Sequence, residues 1–172
     1  FISGLGAVAH NLLFRMRDDL GFVWSDGTVH SLAATAAYGD FNESALSRPI
    51  HRYLREHLTL SQLPRAWAAT DVLRSIVVFC VPIDTSLFPN QMLAMDYSRQ
   101  SVWWALWPSY PANCVASVVD SQNSNLRGLM IGGRDGYVRR MNLATRSIDG
   151  ATVITAKFST PFTNYGSTFL MK

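Results

Sequence analysis

The chain has 12 acidic residues, and their tightest grouping is Asp18-Asp19 followed by Asp26. Neighbouring carboxylates are what general acid–base chemistry and glycoside hydrolysis require. Aspartate beside glycine is also a common turn former, because its side chain bonds the backbone two residues on. Asp26-Gly27 and Asp135-Gly136 recur in one local pattern. A turn role explains both occurrences, whereas a unique catalytic role explains neither.

Other chemistry-bearing types are present without the spacing they need. The four histidines stand at 10, 30, 51 and 57. His51 and His57 are six apart, the wrong interval for two ligands on one helical face. No serine lies in a Gly-x-Ser-x-Gly elbow. Gly4-Leu5-Gly6 stops short of a phosphate loop and lacks its lysine. Gly132-Gly133 closes an apolar stretch and reads as a bend. Cys80 and Cys114 lie within apolar stretches and read as buried, reduced thiols, which suits intracellular synthesis better than a disulfide-stapled secreted chain. Asn42-Glu43-Ser44 fits a glycosylation sequon, a match common by chance. The expectation is no enzyme: no catalytic, cofactor-binding or metal-binding residues, and no cofactor.

Two groups could contact a partner. Arg48, Arg52 and Arg55 form a basic stripe, while Ile50, Tyr53, Leu54 and Leu58 form an apolar one at helical spacing. Arg139, with Arg140 and Tyr137, gives a small basic-aromatic strand, a weak nucleic-acid signal without a recognisable motif. Trp103-Trp104-Ala105-Leu106-Trp107 is apolar on both faces of a strand, which predicts cover on both sides.

The elements behind these residues repeat. Ser25-Asp26-Gly27-Thr28-Val29-His30-Ser31-Leu32 matches Arg134-Asp135-Gly136-Tyr137-Val138-Arg139-Arg140-Met141, 109 positions on. Each copy follows an apolar strand, Leu20 to Trp24 and Leu129 to Gly133. A middle copy starts at Leu73-Arg74-Ser75-Ile76-Val77-Val78-Phe79, 53 positions before Leu126 to Gly132, with the longer connection Pro82 to Asn90 in place of Asp-Gly. The Asp-Gly pairs predict tight primed turns, with Asp26, Gly27, Asp135 and Gly136 as architectural residues. The middle unit reads as four strands, Ala66 to Thr70, Arg74 to Val81, Met92 to Tyr97 and Ser101 to Trp107. The last reads as Cys114 to Asp120, Leu126 to Gly132, Gly136 to Leu143 and Thr152 to Thr160. The first is partial. Turns are predicted at Asp71, Ser98-Arg99, Ser121 to Asn125 and Asp149-Gly150. Pro49 opens one short inserted helix, 49–58, and Pro64 closes that segment off.

The fold class is therefore all-β, with a β-sandwich as the alternative that explains the strands but not the repeat. About three repeats of ~50 residues, at 10–42, 66–107 and 113–160, make up one β-rich domain over 1–172. Four strands per ~50-residue unit is the signature of a β-propeller blade, and three blades cannot close a ring of about four to eight. Charged residues are only 16% of the chain, below the usual quarter, so much of the surface is expected to meet other protein. The net charge of +3 supports nucleic-acid contact only weakly. No apolar run reaches the ~20 residues that span a bilayer, and the longest, Ile76 to Val81, is strand-length. No basic, apolar leader opens the chain, which begins at Phe1 and reads as a cleaved product or part of something longer.

The stretch from Phe22 to Thr35, then Tyr38-Gly39-Asp40-Phe41 and Leu46 to Ile50, resembles the propeller body of virion proteins from short-tailed bacteriophages, of the nozzle or tail-hub type. So do Met95-Asp96-Tyr97 leading into Trp103-Trp104, and Leu129 to Arg140. The resemblance covers roughly 18–160, and those proteins are normally several times longer. It implies a structural subunit of the tail or head-to-tail complex, forming part of a ring around the genome-exit channel. Its partners would be other copies of itself and neighbouring tail or adaptor proteins, with non-specific contact to passing DNA. Its place would be the virion, after synthesis in the host cytoplasm. The competing function is a carbohydrate-binding or hydrolytic propeller module, which needs carboxylates from several blades.

Overall fold

The structure, a computed structural model, describes residues 7–38, 45–99, 101–107, 112–119, 122, 128–141, 148–149 and 152–153. The chain divides into two compact units, 1–142 and 143–172. It is mostly β, and every described strand pair is antiparallel.

In the first unit, β1 (Leu13–Met16), β2 (Asp19–Val23) and β3 (Val29–Ser31) form one sheet in that order. Helix α1 (Leu32–Tyr38) leaves β3 without a break. A 3-10 turn at Arg48–Ile50 leads into α2 (His51–His57), and a second 3-10 segment, Leu60–Arg65, precedes the next sheet. That sheet is a four-strand meander of β4 (Trp67–Asp71), β5 (Ile76–Val81), β6 (Gln91–Asp96) and β7 (Trp103–Trp107). A third sheet holds β8 (Ala112–Val118), β9 (Gly128–Gly133) and β10 (Val138–Arg140), again in order. Among the described residues no sheet closes on itself.

The strand β5 reads Ile-Val-Val-Phe-Cys-Val and has no polar face, so a stable fold must cover it twice. Val77, Phe79 and Val81 point one way, with Leu93 and Met95 of β6, onto Phe14, Val23 and Val29 of the first sheet and Leu54 of α2. Val78 and Cys80 point the other way, with Ala69 and Met92, onto Ala112, Val115, Leu129 and Ile131 of the third sheet. The middle sheet is thus the filling of a three-sheet stack. Phe79, 2% exposed, meets Phe14 edge-on at 5.2 Å and Trp104 stacked at 5.5 Å. Each such fully buried apolar side chain stabilises by about 1.5–3 kcal/mol. The first strands of the sheets lie alongside one another, β4 between β1 and β8, and the Thr70 hydroxyl donates to the Arg15 carbonyl at 2.6 Å.

The repeat is reproduced pair for pair. In the first sheet Gly21, Phe22 and Val23 pair with Ser31, His30 and Val29; in the third, Met130, Ile131 and Gly132 pair with Arg140, Arg139 and Val138. Every pair is shifted by the same 109 positions. Both turns also close alike. Gly27 N–H donates to Trp24 O at 2.9 Å and Trp24 N–H to Thr28 O at 2.8 Å; Gly136 N–H donates to Gly133 O at 3.3 Å and Gly133 N–H to Tyr137 O at 2.8 Å. Gly27 and Gly136 have φ of 84° and 82°, while Asp26 and Asp135 are not in the left-handed region. These are three-residue loops with a glycine bulge, not the two-residue primed turns expected, which need positive φ at both central residues.

Other expectations need correction. The middle sheet matches its four predicted strands to within two residues at each end. The first sheet has a strand, β1, that was not foreseen, and α1 makes a second short helix where one was expected. The inserted helix is shorter than 49–58, because its first turn is 3-10. The edge strand β7 is only partly covered on each face: Trp104 and Trp107 pack on the two cores, while Trp103 is 62% and Leu106 55% exposed. In the second unit Ile148–Asp149 (β11) pairs with Thr152–Val153 (β12) in a two-stranded sheet. The remainder of the predicted strand Thr152 to Thr160, most of the Ser121 to Asn125 turn, Gly150, the 42–44 sequon, Gly39 to Phe41 and Gly4 to Gly6 lie outside the described residues.

The two turn glycines differ in surroundings. A Cβ on Gly27 would sit 2.3 Å from Leu58 Cδ2, whereas one on Gly136 meets nothing within 4 Å. Gly136→Ala is expected to cost only the left-handed backbone penalty, about 1–2 kcal/mol. Gly27→Ala adds displacement of Leu58, which packs on the core, for about 1–3 kcal/mol more. Urea unfolding midpoints of the two variants test the order.

Candidate assembly surface

The predicted contact arginines are placed by the connection between the first two sheets. Leu46 N–H donates to Val29 O at 2.8 Å and Val29 N–H to Ser47 Oγ at 3.0 Å, which fastens the connection to the edge of β3. Trp104 Nε1 donates to Leu46 O at 2.9 Å, fastening it to β7. Helix α2 buries Leu54 and half-buries Ile50, Tyr53 and Leu58 against the same core, as its stripe required. Its end is pinned to the β5–β6 connection: Thr59 N–H donates to Pro82 O at 3.0 Å, Asp84 N–H donates to His57 O at 2.8 Å, and His57 Nδ1 lies 2.7 Å from Asp84 Oδ1. Arg48, Arg52 and Arg55 are all exposed. Arg52 pairs with Glu56 at 2.8 Å, and neither Arg48 nor Arg55 forms an ion pair among the described residues.

Arg139 does not join that stripe. It grips Asp135 with both nitrogens, Nη1 to Oδ1 at 3.0 Å and Nη2 to Oδ2 at 2.6 Å, and its guanidinium lies 5.3 Å from the Tyr137 ring centroid. Donation from Arg139, then from the Tyr137 amide, holds the Asp135 carboxyl at about 2. Arg139 thus works inside its own hairpin.

The other aspartates close turns in the same manner. Asp71 accepts from the Leu73 amide at 3.1 Å and from Arg74 Nη1 at 2.7 Å, and Asp96 from the Ser98 amide at 2.8 Å. Asp26 Oδ1 accepts from the Thr28 amide at 2.8 Å and the Thr28 hydroxyl at 2.5 Å. The Thr28 oxygen lies 2.6 Å from His30 Nε2, and the His30 ring is held between Phe22 and Trp24, each 5.7 Å away. Burial lowers the His30 pKa, with Asp26 pulling against it. The hydroxyl is thus spent on Asp26 inside a 1%-exposed histidine cluster, a hairpin lock and not an accessible nucleophile. Both cysteines are free thiols, and burial pushes Cys80 up to about 12, so it stays protonated. Among the described residues no group of three His, Cys, Asp or Glu could hold a metal, and no helix is long and apolar enough to cross a membrane.

Two joints escaped the sequence reading. A cleft of about 250 Å³ lies among Met16, Arg17, Asp19, Ser31, Tyr97 and Arg99. Its polar groups are engaged with one another. Arg17, at φ 54°, donates from Nη2 to the Tyr97 and Arg99 carbonyls at 2.6 Å each, and Asp19 accepts from the Ser31 hydroxyl and, at 3.1 Å, from the Ala33 amide. The second joint is Phe88, with the guanidiniums of Arg65 at 5.1 Å and Arg134 at 4.8 Å from its centroid, tying the third sheet's Asp-Gly turn to the β5–β6 connection. No local pattern announces either joint, because their residues are far apart in the chain.

What the arrangement offers is surface. Leu13, Leu20, Leu106, Trp103 and Val138 stand 43% to 74% exposed. No family model, curated protein or solved structure matches the chain.

The Asp135–Arg139 grip is directly measurable. In a carbon-detected NMR titration Asp135 should stay ionised down to about pH 2, and Arg139→Gln should return it toward the ordinary carboxylate range. A carboxyl held low stabilises the hairpin above its unfolded value and loses that contribution as pH falls through about 2.

Proposed function

We propose that this chain is a structural assembly subunit, built of propeller-like blades, that contributes to a ring around the genome-exit channel of a short-tailed phage tail or head-to-tail complex. The observation that carries the assembly part is the stack itself: a middle sheet covered on both faces by two sheets of one hairpin type. Units that stack by their faces with first strands side by side are how propeller blades surround an axis. The virion setting rests on the resemblance of the segments from Phe22, Met95 and Leu129. The low charge and the exposed apolar side chains support large protein–protein interfaces, since obligate ones commonly bury 2,000 Å² or more.

Native mass spectrometry of the purified full chain tests this reading. A single higher stoichiometry, or specific capture of a co-expressed tail protein, is the expected result. A stable monomer at all concentrations that captures none would overturn it. Glycan binding abolished by Trp103→Ala, the exposed tryptophan of β7, would favour the carbohydrate module instead.

A further inference from the structure

The 109-residue register matches β2–β3 to β9–β10, the pairing of β1 on β2 and of β8 on β9 extends the match to the first strands, and the exposures of the two outer sheets are mirror images. On the first sheet the face turned away from the stack carries Leu13 and Leu20, both 43% exposed, flanking the buried Phe22. The matching positions in the third sheet are Val115, Leu129 and Ile131, at 2%, 1% and 6%, all pressed on the middle sheet. The relation also runs in reverse. The third sheet's outward face carries Val138, 74% exposed, with Ala116 exposed and Met130 half-buried. Val138 and Ala116 match Val29 and Phe14 of the first sheet, at 3% and 4%, both pressed on the middle sheet from its other side.

Each open face is therefore the counterpart of a face that this molecule buries against a sheet. The two open faces are of opposite kinds, as the two sides of one joint must be. We infer that the outward face of β8–β10 docks on the outward face of β1–β2 of a second copy, head to tail, continuing the order of the stack. The joint is heterologous, which generates rings when the rotation closes and open filaments when it does not. It rests on the assembly reading above and adds which surfaces meet and in what polarity.

The apolar areas are modest on each side, so single charges should break the joint. Val138→Glu and Leu20→Glu are each expected to shift the full chain to monomer in size-exclusion chromatography while leaving its circular dichroism unchanged. Polarity is read by cysteine pairing in a Cys114→Ser background, because Cys114 shares the third sheet's outward face. Leu20→Cys mixed with Ala116→Cys should form a crosslinked heterodimer under mild oxidation, and neither variant alone should crosslink. Homodimers from Ala116→Cys alone would replace the head-to-tail joint with a symmetric one and overturn the inference. So would wild-type stoichiometry retained in both charge variants, although the assembly function would then survive. A monomeric wild type would remove both.

Discussion

The constraint on which the structure depends is that β5 has no polar side. Six consecutive apolar residues in a strand put Val77, Phe79 and Val81 on one face and Val78 and Cys80 on the other. Neither face can be left in water, at about 25 cal/mol per Å² of apolar surface. The remaining architecture answers that demand. The first sheet and α2 cover one side, and the third sheet covers the other. The connection through Leu46 and Ser47, the Arg17 clamp on the β6–β7 turn and the Arg65–Phe88–Arg134 stack hold the covering pieces in place. Covering the middle, however, only moves the exposed apolar surface outward to Leu20 and Val138.

The polar chemistry serves the same end. Asp26, Asp71, Asp96 and Asp135 each accept from a backbone amide two residues on, at the tip of a turn. Donation from the Ser98 amide to Asp96, and from Arg139 to Asp135, lowers the pKa of those two carboxyls. Burial lowers the His30 pKa and pushes the Cys80 thiol up. Among the described residues these aspartates thus serve the turns of the fold.

The middle sheet was legible because its signals are local: a continuous apolar run in β5 and β6, with Asp71 and Ser98-Arg99 as breaks between strands. The Asp-Gly recurrence gave the hairpin register to the residue, but its turn type was misread, since Asp-Gly serves a glycine-bulge loop as readily as a primed turn. Strand β1 was missed because its turn uses Arg17 in the left-handed region, a conformation no sequence pattern marks for arginine. Helix α1 was hidden inside a stretch that repeat alignment treats as the tail of a hairpin. The basic stripe of Arg48, Arg52 and Arg55 lies exposed, and the pairing of Arg139 with Asp135, four residues away, was not legible because Asp135 was already assigned to a turn. The exposed edge of β7 was misjudged: composition reports that a strand is apolar on both faces, not which neighbours reach it.

The central claim is that the middle sheet is already complete while the outer sheets await cover. Hydrogen exchange of the full chain, followed from dilute to concentrated solution, tests this most directly. Amides of β5 and β6 should be equally protected throughout, and those of β1–β2 and β8–β10 should gain protection as copies associate. Protection that stays the same in all three sheets at every concentration would contradict the account.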